Sequence, residues 1–246
     1  MFDLHCHLIP AIDDGPKTLT QGLDMARLAC NDGITHAVIT PHIIPGRYDN
    51  TLATIQAAFK DFSKEVSKAG IPLELAVAAE IRLDLVIMQM VESKTVPYLG
   101  RDGDMDILLL EFPHETIPPG AMEMVTWLLD RKIRPMIAHP ERNGSVINRF
   151  STLEPFVKKG CLLQITSGSL TGVFGGEPRT IARKLLQKGW VSIIASDAHN
   201  KSKRKPELEA ARKVAKKIAG EQEAWKLVRD RPSAYTSHLF QKAGTK

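Results

Sequence analysis

Short, uninterrupted apolar runs recur along the chain: HAVIT (36–40), LELAVAAE (73–80), ILLLEF (107–112), PMIAHP (135–140), CLLQIT (161–166) and WVSIIAS (190–196). They do not alternate apolar with polar residues, which is the pattern of strands buried on both faces of a parallel sheet. Helical stretches separate them, over roughly 51–69, 83–93, 119–131 and 177–188, with a shorter helix before Gly160. The first helix opens at TLTQ (18–21), a capping box with Thr18 as N-cap and Gln21 reaching back, and closes near Gly33, suited to a left-handed C-cap. Helices fill the C-terminal part from 205 to 240.

With FDLHC at the start, this makes about seven β-then-α units. Alternation of that kind specifies βαβ units. No GxGxxG or Walker loop occurs, which argues against a dinucleotide or P-loop sheet. The expected fold is α/β, a distorted (β/α)7 barrel of the TIM type. It forms a single domain over 1–246, with a core over about 2–204 and a helical segment over about 205–246.

Polar residues fall at one place in six of the seven repeats. His5 and His7 end the first strand, His42 follows the second, and Glu80 ends the third; Glu111 ends the fourth, His139 the fifth, and Asp197 with His199 the seventh. Active sites of barrels are assembled from strand C-termini and the loops after them, so these side chains converge on one mouth. Asp14, in the loop after the first strand, can join them or simply cap the DDGP turn. Imidazole mixed with carboxylate and without thiolate suits Mn²⁺, Fe²⁺ or Zn²⁺. Nine candidate ligands exceed the needs of one ion and are enough for two or three. Four unneutralised carboxylates at one place would repel each other, whereas divalent ions polarise phosphoryl groups and activate water.

Arg142, on the loop after His139, and Arg204, after His199, can bind phosphate oxygens in a planar, two-pronged way. Arg47, Arg82 and Asn143 are weaker substrate-binding candidates. Of the remaining histidines, His36 reads as structural, His114 sits on a loop near the mouth, and His238 has no assigned role; Cys6 should point away from its histidine neighbours.

Bulk properties narrow the function further. Hydrophobic residues at 43% and charged residues at 25% are ordinary for a globular protein. No apolar run approaches the ~20 residues of a membrane span, and no basic-then-apolar leader pattern is visible, so the cytoplasm is the expected compartment. Much of the net charge of +5 lies in NKSKRKPELEAARKVAKKIAG (200–220), which reads as a solvated helix face ahead of a docking patch for an acidic partner and is too interrupted by glutamate for a nucleic-acid stripe. Cys6, Cys30 and Cys161 include no CxxC pair, and the positions six further on are Ile12, His36 and Ser167. A cysteine-dependent phosphatase loop would need arginine there.

The segments DLHCHLIPAIDDGPKT, GITHAVITPH with GRYDN, EIR, LLLEFP, IAHPERN, QITSGSLTG and SDAHN together resemble the PHP (polymerase and histidinol phosphatase) superfamily. Within it they are most similar to bacterial protein-tyrosine phosphatases of capsule and exopolysaccharide operons. The resemblance implies a trinuclear, Mn²⁺-favouring centre, with Co²⁺ and Mg²⁺ as further alternatives. It also implies His5, His7, Asp14, His42, Glu80, Glu111, His139, Asp197 and His199 as metal ligands, and Arg142 and Arg204 as catalytic, phosphate-binding groups. The implied substrate is the phosphotyrosine-bearing tail of a bacterial tyrosine kinase. Alternatives are another phosphoesterase, such as a histidinol phosphatase or a nuclease, and a module that binds the kinase tail without turnover.

Overall fold

The structure is a computed structural model and describes residues 1–240. The strands are β1 (Phe2–Cys6), β2 (His36–Ile39), β3 (His42–Ile43), β4 (Glu74–Val77), β5 (Glu80–Arg82), β6 (Gly100–Asp102), β7 (Met105–Glu111), β8 (Ile133–Ala138), β9 (Leu162–Thr166) and β10 (Ile193–Ala195). The longer helices are α1 (Leu19–Asn31), α2 (Leu52–Lys68), α3 (Val86–Glu92) and α4 (Ala121–Leu129). The short α5 (Gly144–Asn148), α6 (Glu154–Lys159) and α7 (Ser167–Thr171) precede α8 (Gly176–Gln187). Among the described residues the last helices are α9 (Glu209–Ala219), α10 (Glu221–Trp225) and α11 (Arg231–Thr236).

Two of the expected strands are broken near their ends. The second divides into β2 and β3 around Thr40-Pro41, and the third into β4 and β5 around Ala78-Ala79. Parallel pairing runs β1-β2-β4 in one sheet and β10-β9-β8-β7-β5-β3 in the other. The sheets meet where β1 lies beside β10: Asp197 N–H donates to the His5 carbonyl (2.7 Å) and His7 N–H to the Ala198 carbonyl (2.8 Å), with a parallel bridge between Cys6 and Ala198. The seven parallel stations therefore follow one another round a ring. One strand was not expected: β6 pairs antiparallel with β7 as a hairpin.

Packing explains the continuous apolar runs. Leu108, Leu110 and Ile137 belong to a large buried cluster that continues into helix residues such as Met25, Phe62 and Val125. The intervening Ile107, Leu109 and Met136 join Leu4, Val38 and Ile193 in a second cluster filling the ring. Both faces are thus apolar because both are buried. Cys6 lies in the outer cluster, with its thiol toward the Val38 carbonyl (3.6 Å), so it does point away from the histidines' site. His36 stacks on Phe2 (4.1 Å between ring centroids), a packing role.

Thr18 caps α1 as expected, accepting from Gln21 N–H (3.3 Å). The return arm differs: the Gln21 side chain accepts from Lys17 N–H (2.8 Å) instead of from the cap residue. Gly33 adopts φ +88, the left-handed turn that ends the helix.

Candidate metal centre

Six of the seven parallel stations deliver their polar residues at the same end of the ring. His5 lies in β1 and His7 just beyond it; His42 opens β3, Glu80 opens β5, and Glu111 ends β7. His139 follows β8, and Asp197 and His199 follow β10. His139 (φ +31) and Asp197 (φ +51) occupy the left-handed region, which costs a non-glycine residue about 1–3 kcal/mol. The strain sits where two strand ends turn their side chains to the mouth.

The donors form three overlapping groups, each within 4.8 Å: His7, Asp14, His42 and His199; His5, His7, Glu80 and Asp197; and His42, Glu80 and Glu111. Glu80 Oε2 is 3.1 Å from His5 Nε2, 3.5 Å from His7 Nε2 and 3.0 Å from His42 Nδ1. Asp197 Oδ1 is 3.4 Å from His5 Nε2 and 3.6 Å from His7 Nε2. Asp14 Oδ1 is 3.3 Å from both His42 Nε2 and His199 Nε2. His139 stands outside the three groups; its Nε2 donates to Glu80 Oε1 (2.7 Å) and lies 3.9 Å from Glu111 Oε1.

Six buried atoms of this set make no hydrogen bond: His5 Nε2, His7 Nε2, His42 Nδ1, Glu80 Oε2, Asp197 Oδ1 and His199 Nε2. A buried polar atom without a partner costs ~1–3 kcal/mol. Six such atoms turned toward one another are the chemistry of a cation site.

The surroundings aim those atoms. His5 Nδ1 donates to Gln164 Oε1 (2.9 Å), His7 Nδ1 to Asp13 Oδ2 (2.7 Å), and His199 Nδ1 to the Asp197 carbonyl (3.0 Å). Because these partners only accept, each ring turns a protonated Nδ1 to its partner and its Nε2 to the group, where a bound cation would take the place of any proton on that nitrogen. Asp13 also accepts from His42 N–H (3.1 Å) and Gly15 N–H (2.9 Å), and Gln164 Oε1 from His139 N–H (3.1 Å). The turn-capping role considered for Asp14 therefore belongs to Asp13.

Charge follows the same layout. Burial and the neighbouring Arg142 push His139 down to about 3, and burial with His7 pushes His199 down to about 4, so both are neutral imidazoles near neutral pH. Burial opposes a charge on His42, yet Glu80 and Asp14 prevail and raise it to about 9. Burial and the Glu80 charge push Glu111 above the usual carboxylate range. In the metal-free protein, protons supply part of the positive charge that the carboxylates demand.

The arginines stand on one side of this cluster. Arg142 Nη1 donates to Asp197 Oδ2 (2.6 Å), and Arg204 Nη2 lies 2.7 Å from the same oxygen. Both border a cavity of about 530 Å³ that also touches His114 and Phe174. Arg47 is elsewhere: its guanidinium lies over Tyr48 (5.1 Å), which stacks on His42 (5.7 Å). Arg82 donates to Glu111 Oε2 (2.7 Å). Asn143 is the third of the weaker candidates. It is buried, donates to the Pro113 carbonyl (2.7 Å) and accepts from Val146 N–H (3.3 Å) as the cap of α5, so its amide is committed to holding the loop.

The family described as "Capsular polysaccharide synthesis, CpsB/CapC" matches residues 1–236. The chain belongs to the CpsB/CapC family. It is 35% identical over 220 residues to the tyrosine-protein phosphatase YwqE of Bacillus subtilis (strain 168), covering 89% of this chain and 85% of that protein. It is 28% identical over 237 residues to the tyrosine-protein phosphatase CpsB of Streptococcus pneumoniae, covering 94% of this chain and 96% of that one. A crystal structure from work on those two proteins, described as unique metal-dependent tyrosine phosphatases, superposes with a TM-score of 0.88 at 33% identity, over 95% of this chain and 93% of its own. An organophosphorus hydrolase at 14% identity and a TM-score of 0.58, over 97% of this chain and 92% of its own, shares the fold alone.

Three residues of this CpsB/CapC chain were missed in the sequence. Asp13 hid beside Asp14, although the Asp-x-Gly spacing to Gly15 signals a turn whose first aspartate is engaged. Gln164 lay inside an apolar strand, where a lone amide carries no signal of its role. Glu141, in HPERN, is fully buried and accepts from Thr166 N–H (2.8 Å), tying the Arg142 loop to the end of β9.

Proposed function

We propose that this chain is a metal-dependent protein-tyrosine phosphatase. The observation that carries the reading is the convergence of six buried, unpartnered ligand atoms beside a carboxylate gripped by two arginines. The names of its relatives supply the substrate class.

The residues that would hold two or three divalent ions are His5, His7, Asp14, His42, Glu80, Glu111, His139, Asp197 and His199. Mn²⁺ is the proposed ion because the donor set mixes imidazole with carboxylate and contains no thiolate. Such ions, when bound, activate water and screen charge on the phosphoryl group. Arg142 and Arg204 hold the phosphate oxygens and stabilise charge gathering on them. Gln164 and Asp13 keep the ligand imidazoles in one tautomer. No cysteine takes part: Cys6 and Cys161 are buried, and burial drives both thiols up, Cys161 to about 12.

For the physiological substrate we propose the phosphotyrosine-bearing tail of a bacterial tyrosine kinase, met in the cytoplasm. No helix among the described residues is long and apolar enough to cross a membrane. The test is metal analysis of the purified protein beside turnover of a phosphotyrosyl peptide, with Mn²⁺ and with chelator. Histidinol phosphate and single-stranded DNA serve as competing substrates. Turnover that survives chelation, or that prefers either competitor, would sink the reading.

A further inference from the structure

The QITSGSLTG segment begins at Gln164, which orients His5 from behind, and the loop after it sets Phe174 in the wall of the cavity beside the arginines. The loop places Phe174 between Gly172 (φ +93) and Gly175 (φ +96), both in the left-handed region where glycine is at ease. The Phe174 ring lies directly on Gly168, where an added Cβ would come within 2.9 Å of Cε2 and 3.3 Å of Cδ2. The guanidinium carbons of Arg142 and Arg204 stand 4.8 Å and 5.9 Å from the ring centroid. One aromatic ring therefore lies beside both groups assigned to the phosphate, and Ile147 adds a second apolar surface to the same cavity.

We propose that Phe174 determines specificity for aryl phosphates by forming the wall against which the ring of the substrate lies. The inference rests on the phosphatase reading. A phosphate held by Arg142 and Arg204 next to Asp197 must direct its ester substituent away from the cluster, and the cavity of about 530 Å³ is the space those arginines border. Phosphotyrosine carries its phosphate a full ring's length from the backbone, so the ring spans the cavity while the peptide stays outside. Phosphoserine has no ring to set against Phe174 and would have to bring its main chain inward. Offset or edge contact between two aromatic rings adds to the gain from burying them. Gly168 is the supporting element, because any side chain there drives Phe174 out of place.

The experiment compares binding of phenylphosphonate and methylphosphonate to the metal-loaded protein by calorimetry. The two share a head group and differ only in the part that meets the wall. The wild type is expected to favour phenylphosphonate by roughly ten- to a hundredfold, the worth of burying one ring. Phe174→Ala should bring that ratio to within threefold of unity while metal content and methylphosphonate affinity hold. Phe174→Tyr should retain the ratio. Gly168→Ala, which keeps the phenylalanine, should lower it. An unchanged ratio in Phe174→Ala overturns the assignment, as does a parallel loss of both ligands, which would make Phe174 only a prop for the arginines. If the ratio behaves as expected but phosphotyrosyl peptide is not hydrolysed, the phosphatase reading falls and the aryl wall stands. If neither phosphonate binds, both fall.

Discussion

Arg142 donates to Asp197 Oδ2 at 2.6 Å, while the other oxygen of that carboxylate faces His5 and His7. Asp197 thus joins the phosphate-directed side of the mouth to the metal-directed side. Burial alone would raise its pKa, but Arg142, His5 and Arg204 hold it well below the usual carboxylate range.

Removing Arg142 leaves Arg204 on the same oxygen, so the cluster keeps a countercharge. Arg142→Ala and Arg204→Ala are each expected to lower kcat on a phosphotyrosyl peptide by roughly 10²–10³, the cost of losing one preorganised donor to the developing charge. Bound metal should remain at the wild-type level. Steady-state kinetics beside metal stoichiometry checks this. Loss of metal in step with activity would reassign Arg142 as a support for Asp197.

Asp13 stands one step back from the proposed ligands, behind His7. Its carboxylate is buried and reaches His7 Nδ1 at 2.7 Å; the His7 and His42 charges, assisted by Gly15 N–H, keep it ionised against the effect of burial. Asp13→Ala should weaken metal binding by about 10- to 100-fold, the usual range for losing a group that orients a ligand imidazole. Asp13→Asn should weaken it less only if the amide turns its oxygen to His7. Competition against a chelating dye measures both, and unaltered affinity in Asp13→Ala would refute the role.

The ring was legible because its strands are buried on both faces, so Leu108 and Leu109 are equally apolar although they enter different clusters. The ligand-bearing ends were legible for the opposite reason: His139 or Glu80 at the end of an apolar strand has no place in a core without a partner. What stayed hidden were roles set by three-dimensional neighbours. Gln164 meets His5 across 159 positions of sequence, and no local pattern records that distance. The capping role of Asn143 was hidden too, because an asparagine beside an arginine in a loop reads equally as a ligand or as a cap. The β6 hairpin escaped because GRD, like any three-residue polar stretch, has no period to detect.

Thiol chemistry should be silent in this enzyme. Only thiolate reacts. With its pKa pushed up to about 12 by burial, Cys161 is protonated at neutral pH, and its thiolate fraction grows only as the pH climbs toward that value. At pH 8 the fraction is about one in ten thousand. Burial and the nearby Asp3 raise Cys6 as well, and partial burial raises Cys30. Iodoacetamide at pH 8 is therefore expected to leave phosphatase activity intact over the time that inactivates a cysteine-dependent enzyme. Mass spectrometry should find Cys30, the least buried of the three, modified first. Rapid inactivation tracking alkylation of Cys6 would contradict the mechanism.

Chelation should weaken the fold as well as stop turnover. Without ions, Glu80, Glu111 and Asp197 remain buried together, and six neighbouring ligand atoms lack hydrogen bonds. Ions bind the folded arrangement because the unfolded chain scatters ligands that lie as far apart as His5 and His199. At a free concentration a thousandfold above Kd, one site adds about 4 kcal/mol. For a domain of this size that corresponds to a rise in Tm of roughly 8–16 °C. Differential scanning calorimetry with Mn²⁺ and with chelator measures the shift, and Mg²⁺ should give a smaller one, because it favours oxygen donors over imidazole. Equal melting temperatures with and without the ion would mean that the histidine–carboxylate cluster is stable without cations, and the metal-centre reading would fail.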